Sequence, residues 1–209
     1  MPMSDRLDIH DRVLQASSTT TLMSVYEEWA EHYDADLVDG QGYVAPGLAV
    51  EALCGYVAGS ARVLDAGCGT GLVGGGLHAR GFRDLTGIDY SRAMLSKAEA
   101  RGCYVSLAQA DLTEPLDLAT GSFDAVICVG TLTLGHVGPD ALGELSRVVA
   151  TNGILCFTVR AEAWEAEPYE ETLAELAAAG IWAPLSQTRV DYIRAERSSC
   201  ELCVGRVVG

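Results

Sequence analysis

Lysine is all but missing: this chain of 209 residues has one, Lys97, beside thirteen arginines. Basic residues of both kinds number 14 against 29 acidic ones, a formal charge of -15 at pH 7. A surface of that sign repels phosphate backbones and anionic lipid, so neither a nucleic-acid partner nor a membrane surface is expected. No window approaches the ~20 uninterrupted apolar residues that a membrane helix requires. The N-terminal "MPMSDRLDIHDRV" has charges where a secretory signal needs its apolar core, and aspartates that a mitochondrial presequence avoids, so a cytoplasmic location is expected. Internal repeats and low-complexity tracts are also lacking.

Cysteine is present but unpaired in pattern. The seven residues at 54, 68, 103, 128, 156, 200 and 203 are odd in number, scattered and mostly within apolar strand-like runs, which fits buried reduced thiols. Cys200 and Cys203 form a single C-x-x-C without a second pair. In the alternating run "CELCVGRVV" they would point to opposite faces of a strand, so no metal is expected.

Residues 1–21, ending in "ASSTTT", are expected to be an N-terminal extension, and 22–209 one domain. Ser24-x-x-Glu27 has the form of a capping box, with Tyr26, Trp29, Ala30 and Tyr33 sharing one face of a helix from 25 to about 37. Pro46 suits the first turn of a second helix ending near Gly59. Then strand-like runs "RVLDA", "LTGID", "YVSLAQA", "FDAVICV" and "ILCFTV" follow, with helical patterns after the first, second and fourth. That alternation predicts an α/β, three-layer Rossmann-like sheet, mostly parallel, with helices on both faces. A helix from Pro168 to Gly180 and two strands joined by "RAERSS" predict a C-terminal antiparallel hairpin, seven strands in all.

Ligands of such sheets bind at the carboxyl ends of the strands. The first ends in Asp65 and the bare loop Gly67-Cys68-Gly69-Thr70-Gly71, the second in Asp89-Tyr90, the third in Asp111-Leu112, the fourth in Cys128-Val129-Gly130-Thr131. Glycines permit positive φ and close approach of a ligand to backbone. Asp89 is placed to accept both hydroxyls of a ribose, and Asp111 to accept from an exocyclic amine such as that of adenine. Gly69, Gly71 and Gly74 also satisfy the dinucleotide spacing G-x-G-x-x-G. A pyrophosphate tolerates an aspartate at the loop poorly, whereas a ligand with a cationic amino group suits one.

"VLDAGCGTG", "GIDYS", "AQADL", "GSFDAVICV" and "ELSRVVATNGIL" resemble, in order and spacing, the signature of class I S-adenosylmethionine-dependent methyltransferases over about residues 22–160. More local runs, "YDADL", "YVAPGLAVEAL" and "AGIWAPL", are similar to the methyltransferase-like group of the Williams-Beuren syndrome chromosomal region. The resemblance implies S-adenosyl-L-methionine as cofactor and S-adenosyl-L-homocysteine as product. It implies that the loop of Gly67, Cys68 and Gly69 meets the methionine moiety, and that Asp65 takes the ammonium through water. Asp89 would bind the ribose, Tyr90 would lie against the adenine, and Asp111 with the Leu112 backbone would hold its edge. Tyr33 would close over the carboxylate, and Cys128 would offer a backbone carbonyl to the ammonium. Two departures stand out: Gly74-Gly75-Gly76 inside the first crossover helix, which implies unusually close packing or loose first turns, and "ATNG" in place of "KPGG".

In-line transfer from a sulfonium needs positioning more than a metal or a covalent intermediate. A base helps where the acceptor must lose a proton, and His136 in "TLTLGHVGPD" is the histidine expected beside the methyl; packing near the Gly138-Pro139 turn is its other reading. The "N-P-P-Y" signature of amino-methylating enzymes is absent after the fourth strand, where "CVGT" stands. Trp29 and Trp182 are expected in the core, and Trp164 and Tyr169 in the acceptor site, whose acidic flank "AEAWEAEPYEE" favours a cationic acceptor. A small-molecule acceptor is expected. The alternatives are a nicotinamide-dependent oxidoreductase and a cofactor-binding module without catalysis of its own.

Overall fold

The computed structural model describes residue 25 and residues 28–135 and 137–209. The 1–21 extension, the capping box at Ser24 and Glu27, Tyr26, and His136 lie outside the described residues. Seven strands form one sheet in the order β3-β2-β1-β4-β5-β7-β6. They are β1 (Arg62–Ala66), β2 (Asp84–Asp89), β3 (Ser106–Gln109), β4 (Phe123–Leu132), β5 (Val149–Arg160), β6 (Trp182–Asp191) and β7 (Ser199–Val207). The first five pair in parallel, while β7 runs antiparallel to both neighbours. The expected sheet and its closing hairpin are what the chain builds.

Alternation along the strands divides the core. Val63, Ala125, Ile127, Cys156 and Val204 join one cluster with Val50 and Leu53 of α1 (Ala45–Cys54) and Val73 and Leu77 of α2 (Leu72–Ala79). Leu64, Val126, Leu155 and Phe157 join another with Leu142 and Leu145 of α4 (Ala141–Val148), Trp164 of α5 (Ala161–Ala166) and Tyr169 of α6 (Tyr169–Ala178). A third crossover helix, α3 (Arg92–Ala100), links β2 to β3, capped by the Ser91 hydroxyl, which accepts from the Met94 amide at 3.3 Å. Cys200 and Cys203 fall in opposite clusters, as strand spacing demands, and both are buried.

Two expectations need correction. The helix from 25 to about 37 is not continuous: the chain turns at Ala30–His32 and then forms a π-helical turn, Ala35–Gly40. "AEAWEA" is helix α5, and its Trp164 stacks on Tyr169 at 5.8 Å between centroids, 9° from parallel. Tyr169 is fully buried in the second core and so faces no solvent, whereas Trp164, nearly buried there, lines an open cleft with Glu170, Leu173, Trp182 and Gln187. Trp29 and Trp182 are core residues, as expected.

Candidate active site

Parallel pairing in register brings the carboxyl ends of β1, β2 and β3 side by side, with Asp65 near the end of β1, Asp89 at the end of β2 and Asp111 just past β3, at one edge of the sheet. Between β1 and α2 the loop takes positive φ at Gly67 (73°), Gly69 (53°) and Gly71 (87°), values that L side chains rarely adopt. A Cβ at Gly69 would meet nothing within 4 Å, so that part of the loop faces open space, whereas one at Gly67 would collide with the Thr131 hydroxyl at 2.1 Å.

The loop's own hydrogen bonds show which ligand chemistry it suits. The Gly67 and Cys68 amides both donate to the Ile88 carbonyl, at 2.8 and 2.9 Å, and the Gly71 amide donates to the Cys68 carbonyl at 2.8 Å. The Gly69 amide donates to Asp89 Oδ2 at 2.8 Å. Four amides that a pyrophosphate cradle would need are thus committed within the protein. What the turn can still present is carbonyl oxygen beside carboxylate, a set of acceptors matched to an ammonium group.

Asp89 also accepts from the Ser91 amide through Oδ1 at 2.8 Å, so its two oxygens tie the glycine loop to the start of α3. Burial raises its pKa, and the Ser91, Gly69 and Tyr90 amides pull it back. Asp111 caps its own turn, accepting from the Thr113 amide at 2.9 Å and the Thr113 hydroxyl at 2.6 Å. Tyr90 is exposed, and Leu112 is buried in the second core. Tyr33 packs edge-to-face on Trp29 with centroids 4.9 Å apart. Cys128 is fully buried, and burial pushes its thiol up to about 12, which leaves its backbone rather than its sulfur as the group to consider. Cys68 is buried with its sulfur against Gly87.

Asp65 is 1 % exposed and accepts from the Tyr104 hydroxyl at 2.6 Å through Oδ2, while Oδ1 is buried with no partner in the protein. Desolvation, with the Asp89 charge, raises its pKa to about 7, against the lowering effects of the Tyr104 hydroxyl and the Gly74 amide. An orphaned acidic oxygen beside open loop backbone fits the amino end of S-adenosylmethionine.

Several site residues were not anticipated. Asp34 accepts from the Thr70 hydroxyl and pairs with Arg101, whose Nε also donates to the Thr70 carbonyl at 2.6 Å. Lys97 pairs with Glu31 at 2.6 Å, so the first described segment is fastened to the loop and α3 together. At the end of β4, the Tyr43 hydroxyl occupies the space beside Gly130, 2.4 Å from where a Cβ would stand, and faces the Tyr192 hydroxyl at 3.5 Å. The Arg160 guanidinium lies 5.1 Å from the Tyr192 ring centroid. "YDADL" and the lone lysine were visible signals for the fastening; nothing local marked the tyrosine pair, whose members are 149 residues apart.

A sheet of this order, with acceptors rather than free amides at its first strand end, defines the class I methyltransferase architecture. Residues 63–153 match the model of the methyltransferase domain family. Human methyltransferase-like protein 27 is 42% identical over 175 residues, covering 80% of this chain and 71% of that protein. Malonyl-[acyl-carrier protein] O-methyltransferase of Enterobacter lignolyticus is 36% identical over 105 residues, 48% of this chain and 39% of that enzyme. The fold is shared with a putative methyltransferase solved in complex with the Trm112 activator of Haloferax volcanii, at a TM-score of 0.68 and 18% identity over 88% of this chain and 98% of that one. The chain belongs to the family of methyltransferase-like protein 27 and is an S-adenosylmethionine-dependent methyltransferase. The oxidoreductase alternative is set aside by the same findings and by the committed loop amides.

Proposed function

We propose that this chain transfers the methyl group of S-adenosylmethionine to a small-molecule acceptor. The observation that carries the reading is the surround of the strand ends: the segment around Asp34 is fastened to the glycine loop at Thr70, and the Tyr43–Tyr192 pair fills the flank of Gly130. A surround of that kind suits a compact acceptor better than a protein side chain carried on its own backbone. A cytoplasmic location remains part of the proposal, and no helix among the described residues is long and apolar enough to cross a membrane.

In this reading Asp65 takes the cofactor's ammonium through water, and the backbone of Gly67, Cys68 and Gly69 lies along its methionine part. The Cys128 carbonyl adds an acceptor, Tyr33 closes on the carboxylate, and Asp89 binds the ribose. Tyr90 covers the adenine, and Asp111 with the Leu112 backbone reads its edge. When bound, the sulfonium supplies an activated methyl for in-line displacement; these residues hold it still and keep water out. His136 serves as the base where the acceptor carries a proton, and the methyl acceptor is neutral or cationic, in keeping with a charge of -15.

One relative favours a second reading. The eEF1A lysine and N-terminal methyltransferase of Danio rerio is 31% identical over 125 residues, 53% of this chain and 18% of that protein, and its name specifies a protein acceptor. Incubating the purified chain with S-adenosylmethionine labelled in the methyl group, separately with a metabolite extract and with a proteome depleted of small molecules, tells the two apart. Label is expected in the metabolite fraction; label in polypeptide alone overturns the small-molecule reading, and none in either leaves the chain as a binding module.

A further inference from the structure

The density of glycine around β1 and β2 exceeds what a ligand loop needs, and much of the excess converges on one side chain. A Cβ at Gly74 would lie 2.2 Å from Tyr104 Cζ and Oη; one at Gly87 would lie 3.1 Å from Tyr104 Cε1, and one at Gly71 3.1 Å from its Cε2. Three glycines from the loop, α2 and β2 therefore clear a slot through which the ring reaches Asp65. The slot has a cost. Gly74 within a helix forfeits ~0.5–1 kcal/mol relative to alanine, a loss with no purpose if the ring merely filled space that an alanine could occupy. At the end of the slot the Tyr104 hydroxyl donates 2.6 Å to Asp65 Oδ2, and Oδ1 is left buried and unpartnered.

We propose that Tyr104 is a positioning residue for cofactor recognition: its phenol fixes one oxygen of Asp65, so that the other oxygen is held to take the amino end of S-adenosylmethionine through water. The proposal rests on the reading of Asp65 as the ammonium acceptor. A phenol donating to a carboxylate stabilises the charged form, so its loss makes Asp65 harder to ionise. The titratable groups acting on Asp65 are Tyr104 before β3 and Asp89 at the end of β2. The thiols of Cys68 in the loop, Cys103 before β3 and Cys128 on β4 also feel its charge. Of these only Tyr104 donates to it, while Asp89 opposes its ionisation.

The test compares two ligands that share the adenosyl thioether and differ in the amino-acid arm: S-adenosylhomocysteine and 5′-deoxy-5′-methylthioadenosine. Both are titrated calorimetrically into the full-length chain, Tyr104→Phe and Asp65→Asn, at pH 6.5 and pH 8.5. Phenylalanine keeps the ring in its slot, and methylthioadenosine reports whether the pocket is intact. Tyr104→Phe is expected to weaken S-adenosylhomocysteine about tenfold at pH 6.5, to recover most of that at pH 8.5, and to leave methylthioadenosine within twofold. Asp65→Asn is expected to weaken S-adenosylhomocysteine at both pH values. Equal loss of both ligands in Tyr104→Phe would show a merely structural ring and overturn the proposal, as would wild-type affinity for both. Wild-type affinity for S-adenosylhomocysteine in Asp65→Asn would remove the reading of Asp65 itself, and the proposal with it.

Discussion

A carboxyl group as buried as Asp65 titrates late, and the sign of its effect on stability follows. Its pKa stands at about 7 in the fold against an ordinary 3.8. Between those values the folded chain holds a proton that the unfolded chain has released, so this group's contribution to stability falls as pH rises from about 4 to about 7 and stays low above that. Asp65→Asn removes the slope. The variant without ligand is expected to be more stable than the wild type at pH 8 by about 1–3 kcal/mol in urea denaturation, and no more stable at pH 4. Lower stability of the variant at pH 8 would contradict the burial argument. At the same scale, His136→Ala is expected to lower kcat about a hundredfold for an acceptor that must lose a proton, with S-adenosylhomocysteine affinity unchanged. A loss of affinity instead would make that histidine a structural residue.

The crossover helix α2 contains three glycines, at 74, 75 and 76, and the structure separates their reasons. Gly74 admits Tyr104, a Cβ at Gly76 would stand 3.3 Å from the Val50 side chain on α1, and one at Gly75 would meet only the Arg101 side chain at 3.7 Å. Propensity alone favours alanine at each position. Gly74→Ala is nonetheless expected to destabilise by about 1–3 kcal/mol through overpacking, and Gly75→Ala to be neutral or stabilising. Thermal melts of the two variants side by side decide it; matched shifts would mean the slot is not tight. The first described segment is fastened differently, by partly exposed charges at Asp34 and Arg101. Such a pair adds little global stability, so Arg101→Ala is expected to leave the melting temperature within about 2–4 °C while speeding amide exchange around Asp34. A global collapse in that variant would contradict a local fastening.

Across the whole molecule, hydrophobic period and turn residues made the architecture legible. "RVLDA" coincides with β1, Pro168 and Gly180 bracket α6, and the strand run split by "RAERSS" forms the β6–β7 pair. The three aspartates at the ends of β1, β2 and β3 were also legible, because the carboxyl ends of parallel strands share one edge. Other features depended on contacts distant in sequence. The N-terminal helix reads as continuous from its apolar face, yet its course is set by Asp34 reaching Thr70, 36 residues on. Tyr169 sits among acidic neighbours and so reads as part of a rim, but its ring turns inward and stacks on Trp164 in the second core. Tyr104 showed nothing in the sequence beyond an aromatic residue opening the strand-like run "YVSLAQA"; its role is visible only in the glycines that make way for it.

Asp89 gathers the account into one group, since it holds the Gly69 amide, holds the Ser91 amide and is assigned the ribose. Asparagine there keeps the shape but sets an NH2 against one of two N–H donors and loses charge. The most direct measurement is calorimetric titration of S-adenosylhomocysteine into the wild-type chain and Asp89→Asn under the same conditions. Saturable one-to-one binding to the wild type, weakened tenfold or more in a variant that melts as a folded protein, is the expected result. Equal affinity in the two proteins would contradict the assignment of this edge of the sheet as the cofactor site.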